Sequence, residues 1–109
     1  MGGTVIAKSV ISNEHRCFIC GFPYVHKHHI YPGLGRREMS EKFGLWVYLC
    51  PRHHNQYGSP VAVHMGFPEG KEIDRKLRIL GQRKFEETHT REEWHRYFGT
   101  SYIEEEENE

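Results

Sequence analysis

Two short pairs of potential metal ligands most constrain how this chain can fold. Cys17 and Cys20 are separated by two residues, and the same spacing recurs after an interval of 29 residues in Cys50 and His53. One turn of backbone can present both members of such a pair to a single ion, and Gly21 would permit a tight turn after the first pair. Three thiolates and one imidazole satisfy a tetrahedral zinc ion, so we predict one structural zinc site. The alternative is that the cysteines are buried as small apolar side chains.

The fourth zinc ligand has two adjacent candidates, His53 and His54. His53 repeats the spacing of the first pair, and we therefore predict that it binds the zinc ion. His54 would then be held beside the site at the start of a helix and would remain free for another role. The alternative for His53 is a solvent-facing position at the helix start.

Closure of the zinc site leaves further histidines without a role. His28 and His29 lie in a predicted strand, where neighbouring side chains point to opposite faces. One of them could bind a second metal ion while the other faces a water molecule, and His54 could reach the same ion as His28. His64, beyond a short loop, could supply a third ligand; each of these residues could instead be an ordinary polar or core histidine. The histidines interpreted as surface or structural residues, because they lack partners at useful spacing, are His15, His26, His89 and His95.

Composition limits the class of protein. The 109 residues fit one domain with a modest hydrophobic content of 37%, to which a structural metal would add stability. Three cysteines, an odd number, argue against a closed disulfide framework and favour a reducing compartment. No apolar run reaches membrane-spanning length, and the N-terminus lacks a signal-peptide pattern. We therefore expect a soluble, cytoplasmic protein without a membrane partner.

The charged residues are unevenly distributed. The whole chain has 15 Lys and Arg against 15 Asp and Glu, but residues 1–103 carry all 15 basic residues and only 10 acidic ones, a net charge of +5. This excess would allow contact with a polyanion, although it does not by itself predict nucleic-acid binding. We predict a single domain over residues 1–103 and a solvated, disordered acidic tail over residues 104–109.

Local patterns in the first half predict strands joined by loops. Weak alternation over residues 4–11 indicates an edge strand or an arm, and residues 24–31 and 45–49 are predicted strands. Between these two strands, Pro and Gly in residues 32–35 indicate a loop, and residues 40–43 are predicted to make one helical turn.

Helical patterns dominate the second half. Pro51 suits the first turn of a helix running to residue 57, and apolar spacing predicts a long helix over residues 71–89. Thr90 and Glu93 form a capping-box pattern that begins a last short helix, which Gly99 ends. Together these patterns predict an α+β fold.

The motifs, in their order along the chain, resemble the zinc-containing branch of the HNH endonucleases. The residues that carry the resemblance are Cys17-x-x-Cys20, His28-His29-Ile30 and Cys50-Pro-Arg-His53-His54. The matching region, about residues 15–65, is a little under half of the chain. The remainder is similar to small phage and prophage HNH proteins, some of which resemble phage recombination-enhancement nucleases. The resemblance implies a small ββα-metal, treble-clef-like core held by one structural zinc, followed by C-terminal helices over about residues 68–98.

The resemblance also implies a function, the metal-dependent hydrolysis of DNA phosphodiesters, in the bacterial host cytoplasm if a phage or prophage encodes the chain. His29 would be the general base, since an imidazole with a reference pKa of about 6.5 is largely neutral near physiological pH. His28 and His54 would bind the catalytic ion (Mg²⁺, Mn²⁺ or Ni²⁺), with His64 as a further ligand. The ion would neutralise charge on the phosphate and stabilise the leaving 3′ oxygen, giving 5′-phosphate and 3′-hydroxyl ends.

Basic residues near these motifs are the expected DNA contacts. Lys27, Arg36, Arg37 and Arg52 could bind phosphates, and Arg36 and Arg37 are predicted to lie in the loop between the strands. Basic residues of the long helix could extend this footprint or form an ordinary charged face.

One position departs from the family pattern. The HNH asparagine, which secures the loop between the strands, would fall near Leu45, and no asparagine occurs between His29 and His54. Either another group secures this loop, or activity is reduced or lost. The alternative function is therefore a zinc-containing DNA- or protein-binding adaptor derived from an inactive HNH nuclease.

Overall fold

Two antiparallel strands and four helices make up the part of the chain that the computed structural model describes, residues 8–33 and 35–103. The elements are, in order, β1 (His26–His29), α1 (Arg36–Lys42), β2 (Trp46–Leu49), α2 (Pro51–His54), α3 (Pro68–Phe85) and α4 (Arg91–Phe98). In the sheet, His28 pairs with Val47 and His29 pairs with Trp46. The fold is therefore α+β, as predicted. Among the described helices, none is long and apolar enough to cross a membrane.

α1 is longer than the helical turn predicted over residues 40–43. Arg36 and Arg37 form its first turn, so their predicted placement in an irregular loop is wrong. Met39 in α1 and Phe43, its C-cap residue, are four residues apart and both pack against the core.

The other elements lie where the sequence predicts them, with shifted ends. β1 and β2 are shorter than the strands predicted over residues 24–31 and 45–49, and α2 is shorter than the helix predicted over residues 51–57. α3 begins at Pro68, three residues before its predicted start, because proline suits the first turn of a helix. It ends at Phe85, before its predicted end.

The predicted capping box is present at the start of α4. The Thr90 side chain accepts a hydrogen bond from the backbone N–H of Glu93, and the Glu93 carboxylate accepts one from the backbone N–H of Thr90. Gly99, with a φ of 81°, ends the helix as predicted.

The arm predicted over residues 4–11 and the tail predicted over residues 104–109 lie largely or wholly outside the described residues. The described end of the arm forms no strand. Instead, Ser9 Oγ donates a 2.6 Å hydrogen bond to the carbonyl oxygen of Trp46 and so attaches the arm to β2.

The core lies between the sheet and the C-terminal helices, with Tyr31 at its centre. The ring centroid of Tyr31 is 5.0 Å from that of Trp94 and 5.0 Å from that of Phe98, and its hydroxyl donates to the carbonyl oxygen of Arg78 in α3. A Cβ at Gly81 would lie 2.5 Å from the Tyr31 hydroxyl oxygen. This contact explains a glycine within α3, where glycine costs about 1 kcal/mol relative to alanine.

Candidate metal centre

The four residues predicted to bind zinc lie together in one cluster. The ligand atoms of Cys17, Cys20, Cys50 and His53 all lie within 4.8 Å of one another. Cys20 Sγ is 3.7 Å from Cys50 Sγ, and His53 Nδ1 is 3.8 Å from Cys17 Sγ and 3.3 Å from Cys50 Sγ. Around a tetrahedral zinc, two such sulfurs are about 3.8 Å apart, and a sulfur and a nitrogen about 3.6 Å apart. The cluster, which we call the Cys₃His cluster, could therefore hold a structural ion such as zinc.

Local backbone geometry explains how each pair of ligands converges. After Cys20 the chain turns sharply at Gly21, whose φ of 81° favours glycine, and its N–H donates a 2.8 Å bond to the carbonyl oxygen of Cys17. The second pair converges because it lies at the start of α2. There the carbonyl oxygen of Cys50 accepts hydrogen bonds from the N–H groups of His53 and His54. The first helical turn thus directs His53 to the cluster and leaves its neighbour outside it.

Hydrogen bonds around the Cys₃His cluster favour a thiolate at Cys17. Burial acts to raise the pKa of its thiol, but hydrogen bonds from the backbone of Cys50, Cys20 and Ile19 bring that pKa below its usual value. A thiol must lose its proton to bind zinc, so this environment suits Cys17 as a ligand, whereas burial and the neighbouring thiols raise the pKa of the Cys50 thiol. All three cysteines lie within the described residues and are free there.

A second cluster forms from three of the histidines that zinc closure leaves over. The ligand atoms of His28, His54 and His64 lie within 4.8 Å of one another, and their ring centroids are 4.8 to 5.3 Å apart. His28 comes from β1 and His54 from α2, so the sheet and the helix after it converge at this point. We call this the His₃ cluster; its three members are those that the sequence indicated as ligands of a second ion.

The loop between α2 and α3 returns to α2 and so delivers His64. The N–H of Val63 donates to the carbonyl oxygen of His53 at 2.9 Å, and the N–H of His64 donates to that of His54 at 3.1 Å. Gly70 lets α3 start against this loop, because a Cβ there would lie 2.3 Å from the carbonyl oxygen of Ala62.

The chemistry of the His₃ cluster fits a bound cation. His28 is 2% exposed, and its Nε2 is a buried nitrogen without a hydrogen-bond partner among the described residues. Burial and, secondarily, the neighbouring histidines lower the pKa of His28 to about 3 and that of His54 to about 4. Both rings are therefore neutral near pH 7 and keep a lone pair for a metal. A buried polar atom without a partner costs about 1–3 kcal/mol, which a coordinate bond would offset.

His26, interpreted from the sequence as a surface or structural residue, contacts this cluster. Its Nδ1 lies 3.2 Å from Nδ1 of His54. A hydrogen bond there requires one of these two nitrogens to carry a proton and the other to accept it, so the contact couples the orientation of the His54 ring to that of His26. The spacing could have indicated this role, because His26 and His28 are two residues apart and share a face of β1.

His29 lies on the opposite face of β1, as predicted for a neighbour of His28. Its Nε2 is 3.0 Å from Glu41 Oε2, and the other carboxylate oxygen of Glu41 accepts a 3.0 Å hydrogen bond from Lys27 Nζ. Lys27 also lies over the Trp46 ring, 4.3 Å from its centroid. Its predicted contact with DNA must therefore compete with these internal partners. No sequence pattern indicated a role for Glu41.

The remaining predicted DNA contacts are divided among different surfaces. Arg37 lines the cleft of the His₃ cluster, whereas Arg36, on the same turn of α1, lies in a groove beside α4. Arg52 lies beside the Cys₃His cluster. On α3, two basic side chains pair with acidic neighbours of the same helix: Arg75 Nη2 is 2.7 Å from Glu72 Oε1, and Arg78 Nε is 3.0 Å from Asp74 Oδ2. Such pairing is typical of an ordinary charged face.

Ser40 secures the connection between the strands, a segment in which the sequence has no asparagine. The buried Ser40 hydroxyl lies 3.3 Å from both the backbone N–H and the carbonyl oxygen of Tyr31, and the Ser40 carbonyl accepts a 2.7 Å bond from the N–H of Leu45. A single residue of α1 thus joins the end of β1 to the start of β2.

Comparisons with known proteins assign no family to this arrangement. What the two clusters can do must therefore be inferred from their own chemistry. No family model matches the chain, and neither the curated proteins nor the solved structures contain a significant match to it.

Proposed function

We propose that this protein is a metal-dependent DNA endonuclease of HNH type, with His29 as its general base. The observation that carries the proposal is a cleft of about 310 Å³ that is lined by His29 together with His28, His54 and His64. A candidate base and a candidate metal site therefore both contribute to the lining of this cleft, although the His28 and His29 side chains leave β1 on opposite faces. Arg37 lines this cleft too and would contact the phosphate that binds there.

The order of the elements supports a ββα-metal core. Two antiparallel strands lead into α2, and the ligands of the His₃ cluster come from β1, from α2 and from the loop that follows α2. The Cys₃His cluster joins the turn before β1 to the start of α2 and would hold the same two elements in place. In this proposal zinc has a structural role, and the His₃ cluster is the catalytic metal site.

The residues of the cleft divide the chemistry between them. His28, His54 and His64 would hold the divalent ion, which when bound neutralises the charge of the scissile phosphate and stabilises the leaving 3′ oxygen. His29 accepts a proton from water as the new O–P bond forms. The bond from phosphorus to the 3′ oxygen breaks, and the leaving oxygen takes a proton from solvent water. The products carry 5′-phosphate and 3′-hydroxyl ends.

The ligand set also bears on the choice of metal. Among the described residues the His₃ cluster contains only imidazoles, whereas Mg²⁺ prefers carboxylate, carbonyl and water oxygens. Imidazole is a better ligand for the later transition metals. We therefore expect Ni²⁺ to support cleavage better than Mg²⁺ or Mn²⁺.

A supercoiled-plasmid cleavage assay tests the proposal. Wild type, His29→Ala and the matched control His95→Ala, on exposed α4 surface, are compared in Mg²⁺, Mn²⁺ and Ni²⁺. We expect His29→Ala to lower the rate by about 10²–10⁴-fold, the usual contribution of a general base, while zinc content and melting temperature stay unchanged. Full activity in His29→Ala would exclude it as the base.

Among the residues that the structure describes, no carboxylate joins the His₃ cluster, and this also favours a second candidate, the zinc-containing adaptor. An adaptor would bind DNA or a protein without cutting DNA. It predicts salt-sensitive DNA binding and no cleavage in any of the three metals, with the Cys₃His cluster loaded. Cleavage by wild type that His29→Ala abolishes would exclude it.

A further inference from the structure

We propose that Glu41 is a positioning residue that holds His29 in the tautomer with its proton on Nε2, leaving Nδ1 as the nitrogen that accepts a proton. The inference rests on the proposed role of His29 as general base and deepens it. It assigns a function to a carboxylate in α1 that lies 12 residues away from His29 along the chain.

The contact is direct and partly shielded from water. Glu41 Oε2 lies 3.0 Å from His29 Nε2, and the side chains of His29 and Glu41 are 17% and 23% exposed. In a neutral imidazole one nitrogen carries a proton and the other has a free lone pair. A contact to Nε2 therefore decides which nitrogen of His29 can act as a base.

The second partner of Glu41 is Lys27, and it determines that the carboxylate accepts a hydrogen bond from His29. Lys27 Nζ donates to Glu41 Oε1 at 3.0 Å and to Oε2 at 3.4 Å, which favours the ionised carboxylate. An ionised carboxylate only accepts hydrogen bonds, so the His29 nitrogen that faces it must carry a proton. Burial acts to raise the pKa of Glu41, but the hydrogen bonds from Lys27 and His29 bring that pKa below its usual value.

The backbone around Glu41 fixes its position. Its neighbour Ser40 is completely buried and is hydrogen-bonded to Tyr31, which lies two residues after His29. α1 is thereby attached to the end of the strand that carries the proposed base. Because Lys27 and His29 share one face of β1, a single carboxylate can contact both of them.

Glutamate variants test this positioning in the zinc-loaded full chain. Glu41→Ala removes the acceptor, Glu41→Gln keeps an acceptor oxygen, and Glu38→Ala is the matched control because it removes the same charge from an exposed site on α1. The direct measurement is the tautomer of His29 by ¹H–¹⁵N correlation through the ring, with the signal assigned from His29→Ala. We expect the Nε2-protonated form in wild type and Glu38→Ala, a mixture of tautomers in Glu41→Ala, and partial recovery in Glu41→Gln.

Kinetics then connect the tautomer to catalysis. We expect Glu41→Ala to lower kcat by about 10- to 100-fold with little change in KM, a smaller loss than in His29→Ala, because the base remains but is no longer oriented. Glu41→Gln should recover part of this loss. A melting temperature within a few degrees of wild type shows that the fold is retained.

The two measurements separate the two proposals. If wild type cuts DNA but the tautomer of His29 is the same with and without Glu41, the positioning role is overturned and the nuclease stands. An Nδ1-protonated His29 in wild type overturns it equally. If Glu41→Ala gives a mixture of His29 tautomers but wild type cuts no DNA in any metal, the nuclease proposal is refuted while the positioning role of Glu41 is confirmed.

Discussion

The two histidine-containing clusters lie side by side, yet they are built in opposite ways. The Cys₃His cluster has four potential ligands, three of them buried, and three of their separations lie close to the edges of a zinc tetrahedron. The His₃ cluster has three potential ligands, ranging from buried His28 to exposed His64, and opens into a cleft. Structural zinc sites are closed by four protein ligands, whereas catalytic sites keep a position open for water or substrate.

Adjacent residues of α2 belong to the two different clusters. His53 is directed to the thiols and His54 to the other histidines, so one short helix links the two sites. Any movement of α2 that opened the zinc cluster would also displace a ligand of the second one. The closed cluster thus provides the rigid support that a precisely positioned open cluster needs.

The largest effect on thermal stability should come from removing a ligand of the Cys₃His cluster. Cys50→Ser removes a ligand that is also the N-cap of α2, and metal binding and folding are coupled in such small sites. We expect a loss of at least about 2 kcal/mol, which lowers the melting temperature by roughly 8 °C or more, together with loss of bound zinc. Thermal unfolding and metal analysis test this. Unchanged melting in both Cys50→Ser and Cys17→Ser would refute the zinc assignment.

A substitution in the His₃ cluster should preserve or raise the melting temperature instead of lowering it. His28→Leu removes a buried nitrogen that has no partner among the described residues, so its melting temperature without added metal should equal or exceed that of wild type. Added Ni²⁺ at 100 times its Kd should stabilise wild type by about 2.7 kcal/mol and should not stabilise the variant. Differential scanning with zinc content held constant measures both. Equal stabilisation of the two proteins by Ni²⁺ would exclude the His₃ cluster as its site.

The sequence predicted the closed cluster more completely than the open one. The ligands of the Cys₃His cluster are set by local spacing, two residues within each pair, which a single turn of backbone converts into geometry. His64 depends on tertiary contacts, since it reaches His54 only because the loop after α2 hydrogen-bonds back to that helix. The sequence indicated His64 only as a possible ligand.

The same distinction explains what the sequence missed. The Glu41 contact requires α1 to fold back onto β1, and nothing in the spacing along the chain encodes that approach. α1 itself was predicted as a single turn, since the Pro and Gly residues before it indicated a loop, while its apolar contacts are formed only in the folded core. His26 was within reach of sequence reasoning, because it shares a strand face with His28.

A smaller effect should come from the residue that orients a ligand of the open cluster. His26→Ala removes the ring 3.2 Å from His54 Nδ1, and partners of metal-bound histidines typically affect affinity by about 10- to 100-fold. We expect Ni²⁺ binding to weaken by that factor while zinc stays bound to the Cys₃His cluster. Isothermal titration with Ni²⁺ measures the change, and His15→Ala is the matched control from outside both clusters. A Kd equal to that of wild type would mean that His26 does not orient His54.

The smallest effect should come from removing single arginines, and it tests which of the two clusters contacts DNA. Arg37 lines the cleft of the His₃ cluster and Arg52 lies beside the Cys₃His cluster, although the sequence predicted both as phosphate contacts. If DNA binds at the open cluster alone, Arg37→Ala should weaken binding a few-fold and reduce the salt slope by about one, as for one lost phosphate contact. Arg52→Ala should leave both quantities unchanged. Affinities measured by fluorescence anisotropy over a range of salt concentrations test this, with a non-cleaving metal-free buffer for every variant. A larger loss in Arg52→Ala would place the DNA over the zinc cluster and separate DNA binding from the cleft that contains His29.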